Sequence, residues 1–488
     1  MDKRPVTPRH PAEHTAGGSL APTTTVAGTD RKLPLSQLLP LGFQHTVIAI
    51  LAAIPVPLII SASAGLSPAE TRFFVSAVIF CAGVSSLLAA LNIIPRTSPL
   101  IPMALGANFA VIPVVTSTLL GADNIRLGFA AVAGCTMAAG LFCFLLSGVW
   151  VKLRRFFPPI VVGTNLMVLG VALLPNTFHW MMGDRAYDLT QSIELKPFFL
   201  ALGIFLFHIF LSKYLKGFLG NLSILIALLA GTIAAALMGM VDMTPVADAP
   251  WFDLNLPGHY GLPRLDFGML PSYLIVMILG MVEVSGTSMG IHNIVDKEMD
   301  EKQFGRTLKT LGIATFFSGG FNAVQPTAFV QNLGILDLSK EKSRYATACA
   351  GGMLLIAGFI PKFSALISVI PQPVLGGLGF AIFGVIIGSA VNMLKGVEFS
   401  GNQNMLIIGL SLGVAMLPSV YPNFYANFPE LVQNIFGSGI LAGALTSITL
   451  TFFFNFKELM GKKPTAAATT EEQPAKAAPE ICEVETAE

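Results

Sequence analysis

Long stretches without a charged residue recur along this chain, and they restrict its possible folds more than any other feature. Only 12% of the residues are charged, whereas soluble domains carry about 25%. An apolar run of about 18 or more residues is typical of a transmembrane helix. The sequence therefore predicts an all-α, multi-pass membrane protein. The uncharged runs cover residues 33–69, 127–151, 156–183, 217–241, 267–282, 310–336, 363–394, 399–429 and 431–456.

Turns between these runs divide them into about 14 transmembrane segments, so both tails are expected on one side of the membrane. The basic loops then fall together on that side, and the loops with Asp184 and with Asp242 to Asp266 fall on the other. Because loops rich in Lys and Arg stay in the cytoplasm, both termini are predicted to be cytoplasmic. The basic loops contain Arg31, Lys32, Arg96, Lys152, Arg154, Arg155, Lys213, Lys216, Lys340, Lys342, Arg344, Lys395, Lys457, Lys462 and Lys463.

Two of the predicted segments are broken. Pro102 and Pro113 interrupt the third, near 100–120, and Pro326 interrupts the tenth, near 321–340. Irregular backbone persists at membrane depth only where protein covers it or where it lines a cavity. Broken polar segments therefore indicate a binding site for a polar solute, although amides in a kinked helix also join neighbouring helices. The amides are Asn108, Asn322, Gln325, Gln331 and Asn332.

One pattern of proline and glycine occurs twice. Residues 159–170 and 373–384 share a proline at the first position, a glycine four residues later and another seven residues after that. They begin the fifth and twelfth predicted segments, and the broken segments are the third and tenth. Members of each pair are seven segments apart and cross in opposite directions, which indicates an inverted repeat. Coincidence in a glycine-rich chain is the alternative.

Glu283 is the acidic residue that most needs an explanation, because no lysine or arginine lies within ten positions of it. A carboxylate at bilayer depth costs about 2.5–3.5 kcal/mol or more. Glu283 is therefore a candidate proton carrier or acceptor for N–H groups of a ligand, unless Ser285 and Thr287 simply cap it. His45, beside Gln44 in the first segment, is equally consistent with a structural and a functional role.

Other function classes find little support in the sequence. A net charge of +1 gives no indication of nucleic-acid binding, and the five cysteines lack the spacing of a metal site. Residues 286–290 fit the G-x-S-x-G pattern of hydrolases around Ser288, but that motif requires a strand–turn–helix setting. No metal, cofactor or enzymatic activity is predicted.

Several short motifs occur in the order and the segments in which one transporter family carries them. They are Gln44–His45; Gly106–Ala107–Asn108–Phe109–Ala110; Glu283–Val284–Ser285–Gly286; Gln331–Asn332–Leu333–Gly334 followed by Ser339–Lys340; and Pro371 to Gly377. On these motifs the chain resembles the nucleobase–ascorbate transporter family, which includes bacterial uracil, xanthine and urate permeases. The resemblance covers residues 33–456.

Departures from the family pattern leave the substrate and the proton stoichiometry open. Many purine-transporting members carry an Asp at the positions of Thr287 and Leu311. The family also has Thr at the position of Ser339 and Ser at the position of Asn108, and it usually has Pro at the position of Gln325.

The resemblance implies a division into two domains built from two inverted sets of seven segments. It also implies short strands in the third and tenth segments and a homodimer embedded in the lipid of the inner membrane. The expected parts are a disordered tail (1–32), core domain (33–151 and 270–370), gate domain (152–241 and 371–456), extracytoplasmic loop (242–269) and disordered C-terminal tail (457–488).

The resemblance further implies proton-coupled uptake of a nucleobase. In such proteins Gln at the position of Gln331 accompanies purines, Glu accompanies uracil and Pro accompanies ascorbate, so xanthine or urate is expected here. A carboxylate at Glu283 can accept two N–H bonds, and an amide at Gln331 can give and take one bond each. The substrate-binding set implied is Glu283, Gln331, Asn332, Phe109, Asn108, Thr287 and Gly334, with Glu283 and His45 for proton coupling.

Three alternatives remain at the level of the sequence. The protein could carry uracil or another pyrimidine, or it could carry another small organic anion on the same fold. A membrane enzyme that uses Ser288 is the third.

Overall fold

The computed structural model describes residues 28–461 except 154–155, 183–193, 217–218, 221, 254–255, 330–331, 334–335, 337–340 and 401. Helices dominate this part of the chain, and two short strands interrupt them. The helices are α1 Leu35–Ala53, α2 Pro55–Ala64, α3 Pro68–Ala90, α4 Ile112–Leu120, α5 Ile125–Leu153, α6 Pro159–Met181, α7 Leu195–Tyr214, α8 Ser223–Leu237, α9 Thr244–Asp248, α10 Leu270–Ile294, α11 Glu301–Gly320, α12 Arg344–Gly358, α13 Pro361–Ser368, α14 Gln372–Leu394, α15 Asn402–Val420, α16 Glu430–Phe436 and α17 Gly439–Gly461. The strands are β1 Leu105–Ala107 and β2 Pro326–Ala328.

Nine helices in the described ranges are long and apolar enough to cross a membrane, with α1 and α2 taken together as Leu35–Ala64. The pair α12 and α13, bent by 84°, would make a tenth. Shorter apolar helices cover Phe109–Leu120 and Ser223–Leu237. The protein is thus a mostly helical, multi-pass membrane protein, as predicted, and the count of 14 segments stays a prediction.

Prolines and caps set many of the helix boundaries. Pro55 begins α2 and Pro361 begins α13, which suits a residue whose missing N–H would be unpaired at that position anyway. The α3 helix begins with a capping box, in which the Ser67 hydroxyl accepts from the Glu70 backbone at 3.3 Å and Glu70 accepts from the Ser67 backbone at 2.7 Å. Such reciprocal bonds satisfy N–H groups that the first turn leaves free.

Glycines let helix backbones approach each other directly. A methyl group at Gly83 of α3 would lie 2.6 Å from the Leu355 nitrogen and 2.7 Å from the Gly351 oxygen in α12. One at Gly140 of α5 would lie 2.7 Å from the Gly312 oxygen in α11. Because lipid gives helices no hydrophobic reason to associate, close packing of this kind holds membrane helices together.

The two strands pair in the middle of the structure. They are antiparallel, with Leu105 opposite Ala328 and Ala107 opposite Pro326, and every residue in both is buried. The Ser86 hydroxyl of α3 accepts from the Leu105 nitrogen at 3.0 Å. The prediction that both broken segments contain short strands is confirmed.

Candidate functional site

Glu283 meets the paired strands at the centre of the molecule. It lies in the middle of α10 and is half-buried. The Thr327 hydroxyl of β2 donates to Glu283 Oε2 at 2.8 Å. Thr327 therefore fixes one carboxylate oxygen and leaves the other Glu283 oxygen available to a ligand. Sequence reasoning did not connect Thr327 with Glu283.

Two small cavities flank Glu283, each about 30 Å³. That is room for one or two water molecules, so a nucleobase requires the facing helices to separate. The first cavity lies between the strands and the helices α6 and α14, and its lining includes Ala107, Phe109, Leu166, Leu169, Glu283, Thr327, Ala328, Phe329, Val385, Ile386 and Ser389. The second is lined by Ala110, Val162, Asn165, Leu166, Leu169, Leu279, Val282, Glu283, Ile440 and Ala444.

The backbone after β1 turns into a helix at Phe109, and Phe109 lines the first cavity. Asn108 caps this turn, because its Oδ1 accepts from the Ala110 nitrogen at 2.8 Å. The Asn108 backbone nitrogen donates to the Gln325 backbone oxygen at 3.0 Å and so extends the strand pairing. The Asn108 amide oxygen is thus occupied within the protein, whereas Phe109 lines the cavity and its ring meets that of Phe383 edge-on at 6.0 Å between centroids.

Asn332 and His45 bind each other. His45 Nδ1 lies 3.0 Å from Asn332 Oδ1, and Asn332 Nδ2 donates to the Pro102 oxygen at 2.7 Å. Both side chains are 2% exposed. This clamp, His45–Asn332–Pro102, joins α1, the approach to β1 and the chain after β2. Both ends of the Asn332 amide are occupied in it, and neither His45 nor Asn332 lines the two cavities.

The remaining amides before β2 also bond to the protein. Gln325 Nε2 donates to the Tyr273 oxygen at 3.1 Å, and Asn322 Nδ2 donates to the Phe129 oxygen at 3.4 Å. Asn322 has a φ of 56°, a left-handed conformation that asparagine tolerates better than most residues. These two side chains position β2, which is the helix-joining role that the sequence left as an alternative.

Positions where relatives carry aspartate have no free polar group. The Thr287 hydroxyl donates to the Glu283 backbone oxygen at 3.1 Å within α10, and Leu311 is fully buried in α11. Ser288, the serine of the hydrolase-like motif, lies 3.3 Å from the Thr307 hydroxyl within an uninterrupted helix. That setting is not a nucleophile elbow. Gln331 and Gly334 lie outside the described residues, so their predicted roles stay predictions.

Among the residues that the structure describes, no group of three or more His, Cys, Asp or Glu side chains could hold a metal ion. A hydrogen-bonding site centred on one carboxylate, two strands and a helix start can instead recognise a small polar molecule by the pattern of its donors and acceptors.

Comparison with known proteins agrees with the motifs. Residues 36–424 match the model of a permease family, Xan_ur_permease. The nucleobase transporter PlUacP of Paenibacillus larvae is 34% identical over 423 residues, which is 86% of this chain and 95% of that protein. The uric acid permease PucK of Bacillus subtilis is 33% identical over 86% of this chain and 96% of its own length. The xanthine permease of the same organism is 31% identical over 86% and 93%.

Solved structures share the fold at low sequence identity. The transmembrane domain of the cyanobacterial bicarbonate transporter BicA superposes with a TM-score of 0.60 at 19% identity, over 86% of this chain and 99% of that one. Murine Slc26a9, an anion transporter, gives a TM-score of 0.60 at 12% identity, over 88% and 70%. The chain belongs to the xanthine/uracil permease family, the nucleobase–ascorbate transporters whose motifs its sequence carries.

Proposed function

We propose that this protein is a proton-coupled symporter that imports a nucleobase, an oxopurine such as xanthine or urate. The observation that carries the proposal is the position of Glu283, a carboxylate that Thr327 holds against the paired strands, beside the start of a helix at Phe109. The names of the relatives, which include uric acid and xanthine permeases, agree with this substrate class.

Substrate recognition follows from the groups that surround the two cavities. An oxopurine presents alternating N–H donors and carbonyl acceptors along a planar edge. Glu283 accepts N–H groups, the backbone N–H of Phe109 donates to a carbonyl, and Gln331 gives and takes one bond each. Asn332, Gly334, Asn108 and Thr287 support this geometry, Asn332 through the His45–Asn332–Pro102 clamp and Asn108 as the helix cap.

Transport requires the substrate to be exposed first to one side and then to the other. In our proposal the core domain (33–151 and 270–370) moves against the gate domain (152–241 and 371–456). The chain crosses the membrane 14 times as two inverted sets of seven, with cytoplasmic termini, in a homodimer of the inner membrane.

Helix packing supports the inverted repeat. In chain order α3 is the second segment, α5 the fourth, α11 the ninth and α12 the eleventh. An inversion that exchanges segments one to seven with eight to fourteen therefore exchanges α3 with α11 and α12 with α5, and it turns the α3–α12 contact into the α11–α5 contact. Both contacts are glycine-to-glycine crossings, at Gly83 with Gly351 and at Gly140 with Gly312. The same exchange relates the α7–α8 contact to the α15–α17 contact and leaves the pair α6–α14 and the pair β1–β2 each unchanged.

Proton coupling is assigned to Glu283, because it is the one acid in the lining of the two described cavities. A proton that moves inward through about 100 mV releases about 2.3 kcal/mol. At about 1.4 kcal/mol per factor of ten, this supports roughly fortyfold accumulation. His45 is the second candidate for the coupling proton.

Uptake in a bacterial host without nucleobase transporters tests the proposal. Labelled xanthine and urate should accumulate, a protonophore should abolish the accumulation, and unlabelled oxopurines should compete better than uracil or bicarbonate. Glu283→Gln should abolish accumulation, whereas Glu301→Gln, an exposed acid in the first turn of α11, should not. Accumulation of uracil or of bicarbonate instead would refute the substrate class. A protonophore-sensitive gradient in Glu283→Gln would move the coupling proton to another group.

A further inference from the structure

A second polar side chain reaches the cavity beside Glu283, from the opposite side of the site. Asn165 lies in α6 and lines the second cavity together with Glu283 of α10 and apolar residues of α10 and α17. Neither composition nor the family motifs single out Asn165. It is the only amide in the lining of either described cavity.

A neighbouring serine sets the orientation of this amide. The Ser447 hydroxyl of α17 lies 2.5 Å from Asn165 Oδ1 and 2.8 Å from the Ala444 oxygen. A hydroxyl has one hydrogen to give, and the shorter contact assigns it to the amide oxygen. Asn165 Nδ2 is therefore turned away from Ser447, with both of its hydrogens still to be satisfied.

The Asn165 nitrogen is buried and has no hydrogen-bond partner among the described residues. Other buried polar atoms of the described residues also lack a partner, among them Asn322 Oδ1 and Gln325 Oε1, but those side chains line neither cavity beside Glu283. Packing between α6 and α17 explains the Asn165–Ser447 contact, because polar side chains often join membrane helices. It does not explain why the donor end of the amide remains unsatisfied beside a cavity that Glu283 also lines.

We propose that Asn165 is a specificity-determining residue that donates from Nδ2 to a ring carbonyl of the substrate. The inference rests on the proposed function and extends it. Glu283 accepts N–H groups on one edge of the ring, and Asn165 meets an acceptor on another edge. The ligand class is thus a planar heterocycle that carries N–H donors and a carbonyl on different edges.

Such a ligand would join two parts of the protein. Glu283 belongs to α10, which contacts the strands, whereas Asn165 belongs to α6, which packs on α14 and α17. A substrate held by both links α6 to α10 through the second cavity. Ser447 acts as a positioning residue, because its effect passes through the Asn165 amide.

Competition by analogues that lack one carbonyl tests this inference. Uptake of labelled xanthine is measured in competition with four unlabelled compounds, which are xanthine itself, hypoxanthine, 2-oxopurine and urate. Hypoxanthine lacks the 2-carbonyl of xanthine and 2-oxopurine lacks the 6-carbonyl, whereas urate adds an 8-carbonyl. The variants are Asn165→Leu and Ser447→Ala. The matched control is Asn176→Leu, an asparagine on the same helix about 16 Å further along its axis. Membrane levels are measured for each.

In Asn165→Leu, the preference for xanthine over the analogue that lacks the recognised carbonyl should fall by roughly tenfold. The ratios of xanthine affinity to the affinity of each other analogue should stay at wild-type values. Ser447→Ala should shift the same preference by a smaller factor, and Asn176→Leu should shift none. Unchanged ratios, or equal weakening of all analogues, would overturn the inference. If Asn165→Leu does not reach the membrane, unchanged ratios in Ser447→Ala overturn it. Absence of purine uptake by the wild-type protein would instead refute the proposed function.

Discussion

Replacing Asn332 by alanine should lower the stability of the protein and should reduce the uptake of every substrate by the same factor. The change removes the partner of His45 Nδ1 at 3.0 Å and of the Pro102 oxygen at 2.7 Å. Each buried group left without a partner costs about 1–3 kcal/mol, so the expected loss is about 2–6 kcal/mol. Substitutions at exposed sites usually change stability by less than about 0.5 kcal/mol.

Thermal unfolding in detergent, followed by size-exclusion chromatography, measures this loss. Asn332→Ala should melt several degrees below the wild type, whereas Asn176→Ala, at a half-buried position in α6, should not. Uptake per folded molecule should fall by a similar factor for xanthine and urate, because the clamp positions the strands and does not touch the ring. An unchanged melting temperature with altered substrate preference would refute this reasoning and place Asn332 in direct contact with the substrate.

Four further outcomes are expected. Thr327→Val should lower uptake at least tenfold at unchanged membrane level, because Glu283 loses its hydroxyl donor; Thr327→Ser should retain uptake, and loss in both would contradict this. Gly140→Val should prevent accumulation of folded protein, since the side chain would overlap the backbone of α11; a normal melting profile would show that the crossing adjusts. Gln331→Glu should weaken oxopurine uptake and admit uracil, and an unchanged competition profile would remove Gln331 from the site. Burial lowers the pKa of His259, despite Asp253 nearby, from its ordinary 6.5, so the loop around His259 should lose stability as pH falls from about 7 through that lowered value. Melting temperatures at several pH values should show this in the wild type and not in His259→Phe.

Much of the fold could be predicted because hydropathy and proline act locally. The uncharged run 267–282 lies largely within the helix Leu270–Ile294. The break around Pro326 is β2 itself. The charged stretch from Asp296 to Lys309 separates two apolar runs, yet α11 begins at Glu301 within it. Hydropathy cannot detect a helix that continues beyond the membrane, although Asp300, which caps Gln303 at 2.6 Å, offered a local signal.

The pairing of polar residues could not be predicted, because it depends on how distant segments meet. His45 and Asn332 are both in family motifs, but nothing in their spacing shows that they bind each other across 287 positions. The same holds for Thr327 and Glu283. Asn165 gave no signal at all, since a single amide in an apolar helix is usually part of helix packing.

The polar residues of the two broken segments divide into a scaffold and a site, and this division has a consequence for selectivity. Asn332 uses both ends of its amide within the protein, Asn108 uses its amide oxygen and Gln325 its amide nitrogen. Changes among them should affect all substrates by a common factor, because they alter the position of the strands. Preference among substrates then rests on groups that still have bonds to give or accept beside the ring, which in the described cavities are Glu283 and Asn165. Variants that change the rank order of competing bases should therefore map to cavity-lining positions, and variants that lower all uptake together should map to the scaffold.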